Sequence, residues 1–318
     1  MREEITAAGF MPVASKLFTP ARGLVSRRRL VDHVRAASHD LILVVAPAGY
    51  GKSTFLAELA ADDDRPTAWV SLSASDDDPA SLLAYVALAL DGAEPVASRY
   101  LSSLWSRSPT INTHAQQAFG AMLTHRRRPF TLVLDDVDVL RRRESLDTLA
   151  ALISEMPSGS RLALASRTAI ELPLGRLRTR RQVVEIGPED LAFDEREVAD
   201  LLGRFATVAD GSEVAKLVER TEGWPVAVYL AALAHNSRAR SSASSISSFG
   251  GKHRFLVEYL SEEFLAASDD DEASFLLEAS CLERVTGALC DDVLERTGSA
   301  QLLDSARRRN LLVIPLDE

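Results

Sequence analysis

"LILVVAPAGYGKSTFLAELA", residues 41–60, runs from five apolar residues through a small, glycine-bearing turn into a helical pattern opened by Lys52, Ser53 and Thr54. A strand that delivers such a turn to a helix N-terminus gathers backbone N–H groups around an anion, on the positive end of the helix dipole. The general phosphate loop reads G-x-x-x-x-G-K-[ST]; here Ala46 stands at the first glycine, while Gly51, Lys52 and Ser53 match. The expected cradle is the backbone of Ala48, Gly49, Tyr50, Gly51 and Lys52, with Gly49 and Gly51 letting the main chain approach phosphate oxygens. Lys52 is expected on the β- and γ-phosphates, and Ser53 on Mg2+. The plainer alternative is a glycine turn between a buried strand and a helix, with Lys52 merely exposed.

Working outward, apolar runs bounded by turn residues recur at 41–45, 67–72, 130–134, 161–166 and 182–186, with helical stretches between them. That alternation predicts an α/β fold, a doubly wound parallel sheet of about five strands. The run "FTLVLDDVDVL", 130–140, brings Asp135 and Asp136 to a strand's carboxyl end, where ligands of open α/β sheets bind. Asp135 suits the Mg2+ shell, and Asp136 suits a water that must be oriented or deprotonated. Taken alone, a strand ending in two aspartates reads equally well as a solvated turn; it is the combination with Lys52 that is specific. The strand "RLALASRT", 161–168, ends in Ser166 and Arg167 at the same edge, where a cation can neutralise a γ-phosphate. Arg167 as a plain surface arginine is the alternative.

After Ile186 the strand pattern stops. In "LAFDEREVADLLGRF", 191–205, Asp194 can cap a helix while Glu197 reaches back, and Val198, Leu201, Leu202 and Phe205 share one face. A second helical stretch from Ser212 to about Ala234 crosses "TEGWPVAV", where Gly223 and Pro225 must break or restart it. The boundaries expected are a nucleotide-binding domain over 1–188, a helical domain over 189–238, a Ser/Gly-rich linker over 239–252, and a further helical domain over 253–318. The final apolar run "NLLVIPLDE", 310–318, has no partner strand after it and suggests a chain that ends inside a domain.

Composition narrows the function classes. The 318 residues are 46% hydrophobic and 26% charged, which excludes dominant disorder. A net charge of −10 is a poor balance for wrapping a polyanion, and the arginine triplets at 27–29, 126–128, 141–143 and 307–309 read as solvated faces or local ion pairs. Cys281 and Cys290 are too few for a disulfide framework or a four-ligand zinc site, and the six histidines show no metal spacing. No apolar run is long enough to span a bilayer and "MREEITAAGF" lacks a signal pattern, so a cytoplasmic protein without membrane contact is expected.

The order "LVSRRRL", "APAGYGKST", "WVSLSASDDDP", "LVLDDVD", "LALASR", "LAFDEREVADLL", "EGWPVAV" and "FLVEYLSEEFL" resembles the MalT/LuxR-type large transcriptional regulators of the STAND signalling ATPases, over roughly 15–318. The resemblance implies a P-loop α/β domain, a small helical domain and a partial winged-helix domain, closed around ADP at rest and opened by ATP to self-associate. It implies further that Lys52, Ser53 and Thr54 bind phosphate and metal, that Asp135 and Asp136 serve Mg2+ and hydrolysis, and that Arg167 senses the phosphate. Val25 and Arg27 fall in the stretch that contacts adenine in that family, and Pro225 matches the proline that packs on the base. Sensor and DNA-binding helix-turn-helix domains lie outside the stretch of resemblance, so DNA is expected only through a domain this chain lacks.

Three functions follow: a switch in which slow ATP hydrolysis resets a conformation, an AAA-like ATPase that does work on DNA or protein, and a scaffold that holds nucleotide without hydrolysing it. The second needs an arginine supplied in trans, for which Arg141–Arg143 are the nearest candidates.

Overall fold

The computed structural model describes residues 13–21, 23, 25–37, 40–94, 120, 123, 126, 128–180, 182–207, 209–238, 253–265, 270–282, 284–309 and 313. The expected linker, most of the final apolar run, His39, His114 and His125 lie outside them. Contacts divide the chain into two compact units: residues 1–45, 52–166 and 170–187 form the first, and residues 46–51, 167–169 and 188–318 the second.

The first unit is built on β1 (Leu41–Val45), β2 (Thr67–Ser71), β3 (Thr131–Asp135), β4 (Arg161–Ser166) and β5 (Val183–Ile186). All pairings are parallel and the order is β2-β3-β4-β1-β5. The five expected runs are these five strands, trimmed or shifted by a residue at β2, β3 and β5. Register decides the two faces. Leu41, Leu43, Leu132, Leu134, Leu162 and Leu164 align across β1, β3 and β4 and enter one core, with Val70, Leu82, Val86, Leu90 and Phe130. Ile42, Val44, Val133, Ala163 and Ala165 alternate with them and are equally buried on the other face. A sheet buried on both sides must be covered on both sides, which is why its strands read as continuous apolar runs rather than alternating ones.

Among the described residues this unit also holds helices α1 (Arg28–Ala37), α2 (Lys52–Ala61), α3 (Pro79–Ala93), α4 (Arg143–Ser154) and the short α5 (Gly175–Thr179). On α2, Phe55, Leu56, Ala57, Leu59 and Ala60 are all buried, so the helix opened by the phosphate-loop lysine is pinned to the sheet along its length.

The second unit is helical: α6 (Pro188–Leu191), α7 (Glu195–Arg204), α8 (Gly211–Thr221), α9 (Pro225–Arg238), α10 (Arg254–Leu260) running into a π-helical turn over Ser261–Leu265, α11 (Asp270–Ala279), α12 (Gly287–Val293) and α13 (Ser299–Arg308). The capping box read at Asp194 is present: Asp194 accepts from the Glu197 amide at 2.8 Å, and Glu197 accepts from the Asp194 amide at 3.1 Å. The break read in "TEGWPVAV" also occurs. Glu222 and Gly223 take positive φ of 50° and 70°, ending α8, and Pro225 opens α9 at the position where a missing N–H costs nothing. Phe275, Ala279 and Cys290 form a small core among α11 and α12.

The contact division departs from a contiguous 1–188 unit at two short segments, the phosphate loop 46–51 and the stretch 167–169 that follows β4. The cause is local: both are bonded to the helical residues described next.

Candidate functional site

The phosphate loop leaves β1 with Ala46 fully buried and Ala48 nearly so. Gly49 and Gly51 stand at φ +79° and +77°, a region that costs an L side chain roughly 1–2 kcal/mol, so the two glycines give the turn its shape. Lys52 begins α2 and is 7% exposed, which rules out the reading of it as merely solvated.

β3 supplies the acids. Asp135 is its last residue and is 3% exposed; its carbonyl accepts from the Leu72 amide at 2.9 Å, which ties the end of β3 to the end of β2. Burial pushes the Asp135 carboxyl up to about 6, with the neighbouring Asp136 charge adding to the rise; a hydrogen bond from Ser53 and the charge of Lys52 oppose it. β4 lies between β1 and β3, so those two strands are two spacings apart, roughly 9–10 Å, and the Ser53 hydroxyl at the start of α2 reaches Asp135 at the end of β3. Asp136 follows in the left-handed region, φ 59° and ψ 43°, which Asp tolerates better than most side chains and which turns the chain sharply at the sheet edge.

A hydroxyl hydrogen-bonded to a buried carboxylate is a hard oxygen pair suited to Mg2+, which takes one or two protein oxygens and completes its octahedron with phosphates and water. A cation there would also stabilise the Asp135 anion that burial disfavours. Among the described residues no group of three or more His, Cys, Asp or Glu is arranged for a metal.

Residues ahead of β1 pack on α2. The Ser26 hydroxyl and the Arg27 amide donate to the two carboxylate oxygens of Glu58 at 2.6 and 2.7 Å, Val25 and Arg27 are each 4% exposed, and Gly23 abuts Thr54. Thr54 and Ser53 are half-buried in the first turn of α2.

Within the second unit the loop is held by helical residues. The indole N–H of Trp224 donates to the Ala48 carbonyl at 3.1 Å, and the Val226 amide donates to the Gly49 carbonyl at 3.2 Å. Trp224 lies edge-on to Tyr259 and Phe264, with ring centroids at 5.9 and 6.2 Å, and Tyr50 lies 6.4 Å away. Burial raises the Tyr50 phenol, with Glu222 adding to it. Burial also pushes Tyr259 up to about 12, helped by Glu263 and opposed by Arg167. Both phenols therefore stay protonated near neutrality. Arg167 forms an ion pair with Glu263 of the π-helical turn at 3.0 Å. Pro225 is buried at the start of α9.

Lys52, Ser53, Asp135 and Asp136 are thus brought together as the sequence implies. Trp224, Val226, Tyr259 and Glu263 escaped that reading. The available signal was a tryptophan wedged between a helix-ending glycine and a helix-opening proline in "EGWPVAV". The arginine triplets make local pairs where they are described: Arg28 with Asp32, Arg143 with Asp147, Arg307 and Arg308 with Asp304, and Arg309 with Glu272.

A model of the AAA ATPase domain matches residues 24–165, and a model of the MalT winged helix domain matches residues 261–318. The HTH-type transcriptional regulator MalT of Vibrio cholerae is 30% identical over 314 residues, which is 96% of this chain and 35% of that protein. MalT of Yersinia enterocolitica is 29% identical over 318 residues, 97% of this chain and 35% of that protein, so the chain spans about a third of the length of these relatives. Among solved structures, a STAND ATPase with a tetratricopeptide-repeat sensor from Pyrococcus horikoshii superposes with a TM-score of 0.50 at 16% identity, covering 92% of this chain and 40% of that one. A Walker-type ATPase of Pyrococcus abyssi gives 0.58 at 15% identity, covering 90% of each chain. At such identities these two speak for the fold alone. No helix among the described residues is long and apolar enough to cross a membrane. The chain is a MalT-type portion, an AAA ATPase domain followed by a MalT winged helix domain.

Proposed function

We propose that this chain is a nucleotide-gated switch: it binds ADP or ATP with Mg2+, hydrolyses ATP slowly, and serves as the regulatory ATPase portion of a cytoplasmic MalT-type transcriptional regulator that self-associates when ATP is bound. The observation that carries the reading is the pairing of Ser53 with the buried Asp135 carboxyl beside Lys52. In this reading Ala48–Lys52 cradle the phosphates and Lys52 contacts the β- and γ-phosphates. Ser53 and Asp135 hold Mg2+, which supplies charge neutralisation of the transferred phosphoryl group. Asp136 orients the attacking water, Arg167 answers to the γ-phosphate, and Thr54 lies along the phosphates. Val25, Arg27 and Pro225 are assigned to the adenine.

A switch rather than a motor is favoured by how the loop is bonded. The carbonyls of Ala48 and Gly49 are tied to Trp224 and Val226, so a change of loop conformation on nucleotide exchange reaches α9 directly. Residues 189–238 then act as a helical domain, 239–252 as a linker and 253–318 as the winged-helix part. The net charge of −10 supports leaving DNA contact to a helix-turn-helix outside this chain, as the names of its relatives suggest.

The test is to denature purified protein and identify released nucleotide by chromatography, then to count phosphate released per site from Mg-ATP. About one trapped ADP per chain with only slow turnover is expected. Empty protein with rapid turnover stimulated by DNA would replace the switch with a working ATPase.

A further inference from the structure

We propose that Trp224 is a positioning residue for the phosphate loop: its indole N–H holds the Ala48 carbonyl so that the amide of the same peptide faces the phosphates. The proposal rests on the nucleotide reading above. In a trans peptide the C=O and the N–H point in opposite directions. The carbonyl of Ala48 is held by the Trp224 indole at 3.1 Å, and the carbonyl of Gly49 by the Val226 amide at 3.2 Å. Two successive carbonyls therefore point toward the start of α9, and the N–H groups of the same two peptides, those of Gly49 and Tyr50, point the other way. Adjacent amides turned to one side are what an anion needs.

The side chain suits this work. Its ring is fixed by edge contacts with Tyr259 and Phe264, so the N–H has a fixed direction. Tryptophan combines a large aromatic face with a single ring donor, which phenylalanine lacks. The fit leaves no room at Gly49, where a Cβ would come within 2.5 Å of Val226 Cγ1, 2.9 Å of Trp224 Nε1 and 2.9 Å of the Tyr259 hydroxyl. The glycine is thus needed both for its φ of +79° and for the approach of the indole.

The experiment compares the wild type, Trp224→Phe, and a chain carrying 3-benzothienylalanine at position 224, which keeps the bicyclic shape and puts sulfur in place of the N–H. ADP affinity is measured by titration calorimetry, and the melting temperature is taken without nucleotide. The expected result is an ADP affinity about three- to tenfold lower in the thienyl variant, the weight of one hydrogen bond, with the melting temperature unchanged. Unchanged affinity in that variant would overturn the proposal. A loss of affinity that follows a loss of melting temperature would assign the indole to folding and overturn it equally. Lys52→Ala is measured alongside: if it keeps full ADP affinity, the nucleotide reading itself fails, whereas a loss there with none at Trp224 sinks only this inference.

Discussion

The residues that follow the phosphate loop in the first unit and those bonded to the loop in the second are built on different principles. On the side of α2 and β3, ionisable groups are buried close together: Lys52 at 7% exposure, Asp135 at 3%, and a hydroxyl between strand and helix. Toward α9 and α10 the loop's contacts are aromatic rings and hydrogen bonds to its main-chain carbonyls, and the ion pair of Arg167 with Glu263 is 43% and 35% exposed. The first side stores electrostatic cost that a bound phosphate and cation would relieve. The second stores shape. Chemistry is therefore expected to fail when the first is altered, and loop geometry when the second is.

The sharpest break in that comparison is Asp136→Asn. On the proposed reading, in which Asp136 orients the attacking water, the amide is expected to lower ATP turnover by about a hundredfold or more while leaving ADP affinity within about twofold, read from single-turnover phosphate release and calorimetry. Retained turnover would strip Asp136 of its role. Next in size, Lys52→Ala is expected to cost about 1.5–3 kcal/mol of nucleotide binding, roughly ten- to a hundredfold in affinity.

Asp135→Asn sharpens the electrostatic side without nucleotide. Because burial raises the folded-state carboxyl from its usual range to about 6, the folded protein binds the proton more tightly than the unfolded chain does. Ionisation above about 6 therefore costs stability, on the order of 2 kcal/mol, and the cost fades as pH falls toward the unfolded value near 4. The amide variant is expected to melt a few degrees higher than wild type at pH 8, and the gap should narrow by pH 4.5. A constant gap would mean that packing, not charge, separates the two. The smallest effect belongs to Glu263→Gln: an exposed pair is worth at most about 1 kcal/mol, so unliganded stability should barely move in a denaturant titration.

The same contrast explains what the sequence disclosed. The sheet was legible because both its faces are buried, so 41–45, 130–134 and 161–166 announce themselves as unbroken apolar runs. The meeting of Lys52, Ser53 and Asp135 was legible because a glycine turn after one parallel strand and an acid ending another come to the same carboxyl edge of the sheet. Trp224 and Tyr259 were not, since an aromatic beside a helix start carries no spacing that says which carbonyl or ring it will meet 176 residues away along the chain. The bond from Arg167 to Glu263, across 96 residues, was hidden for the same reason.

The short element from Glu222 to Val226 is gripped at both ends. Its glycine carbonyl accepts from the Phe193 amide at 2.8 Å, and a Cβ on Gly223 would strike the Phe193 carbonyl oxygen at 2.5 Å, while its tryptophan and valine hold Ala48 and Gly49. A linkage with no slack cannot absorb a displacement; it hands it on. Movement of the Ala48–Gly49 carbonyls is expected to reappear at Phe193 and the capped start of α7, making these five residues a push-rod rather than a hinge.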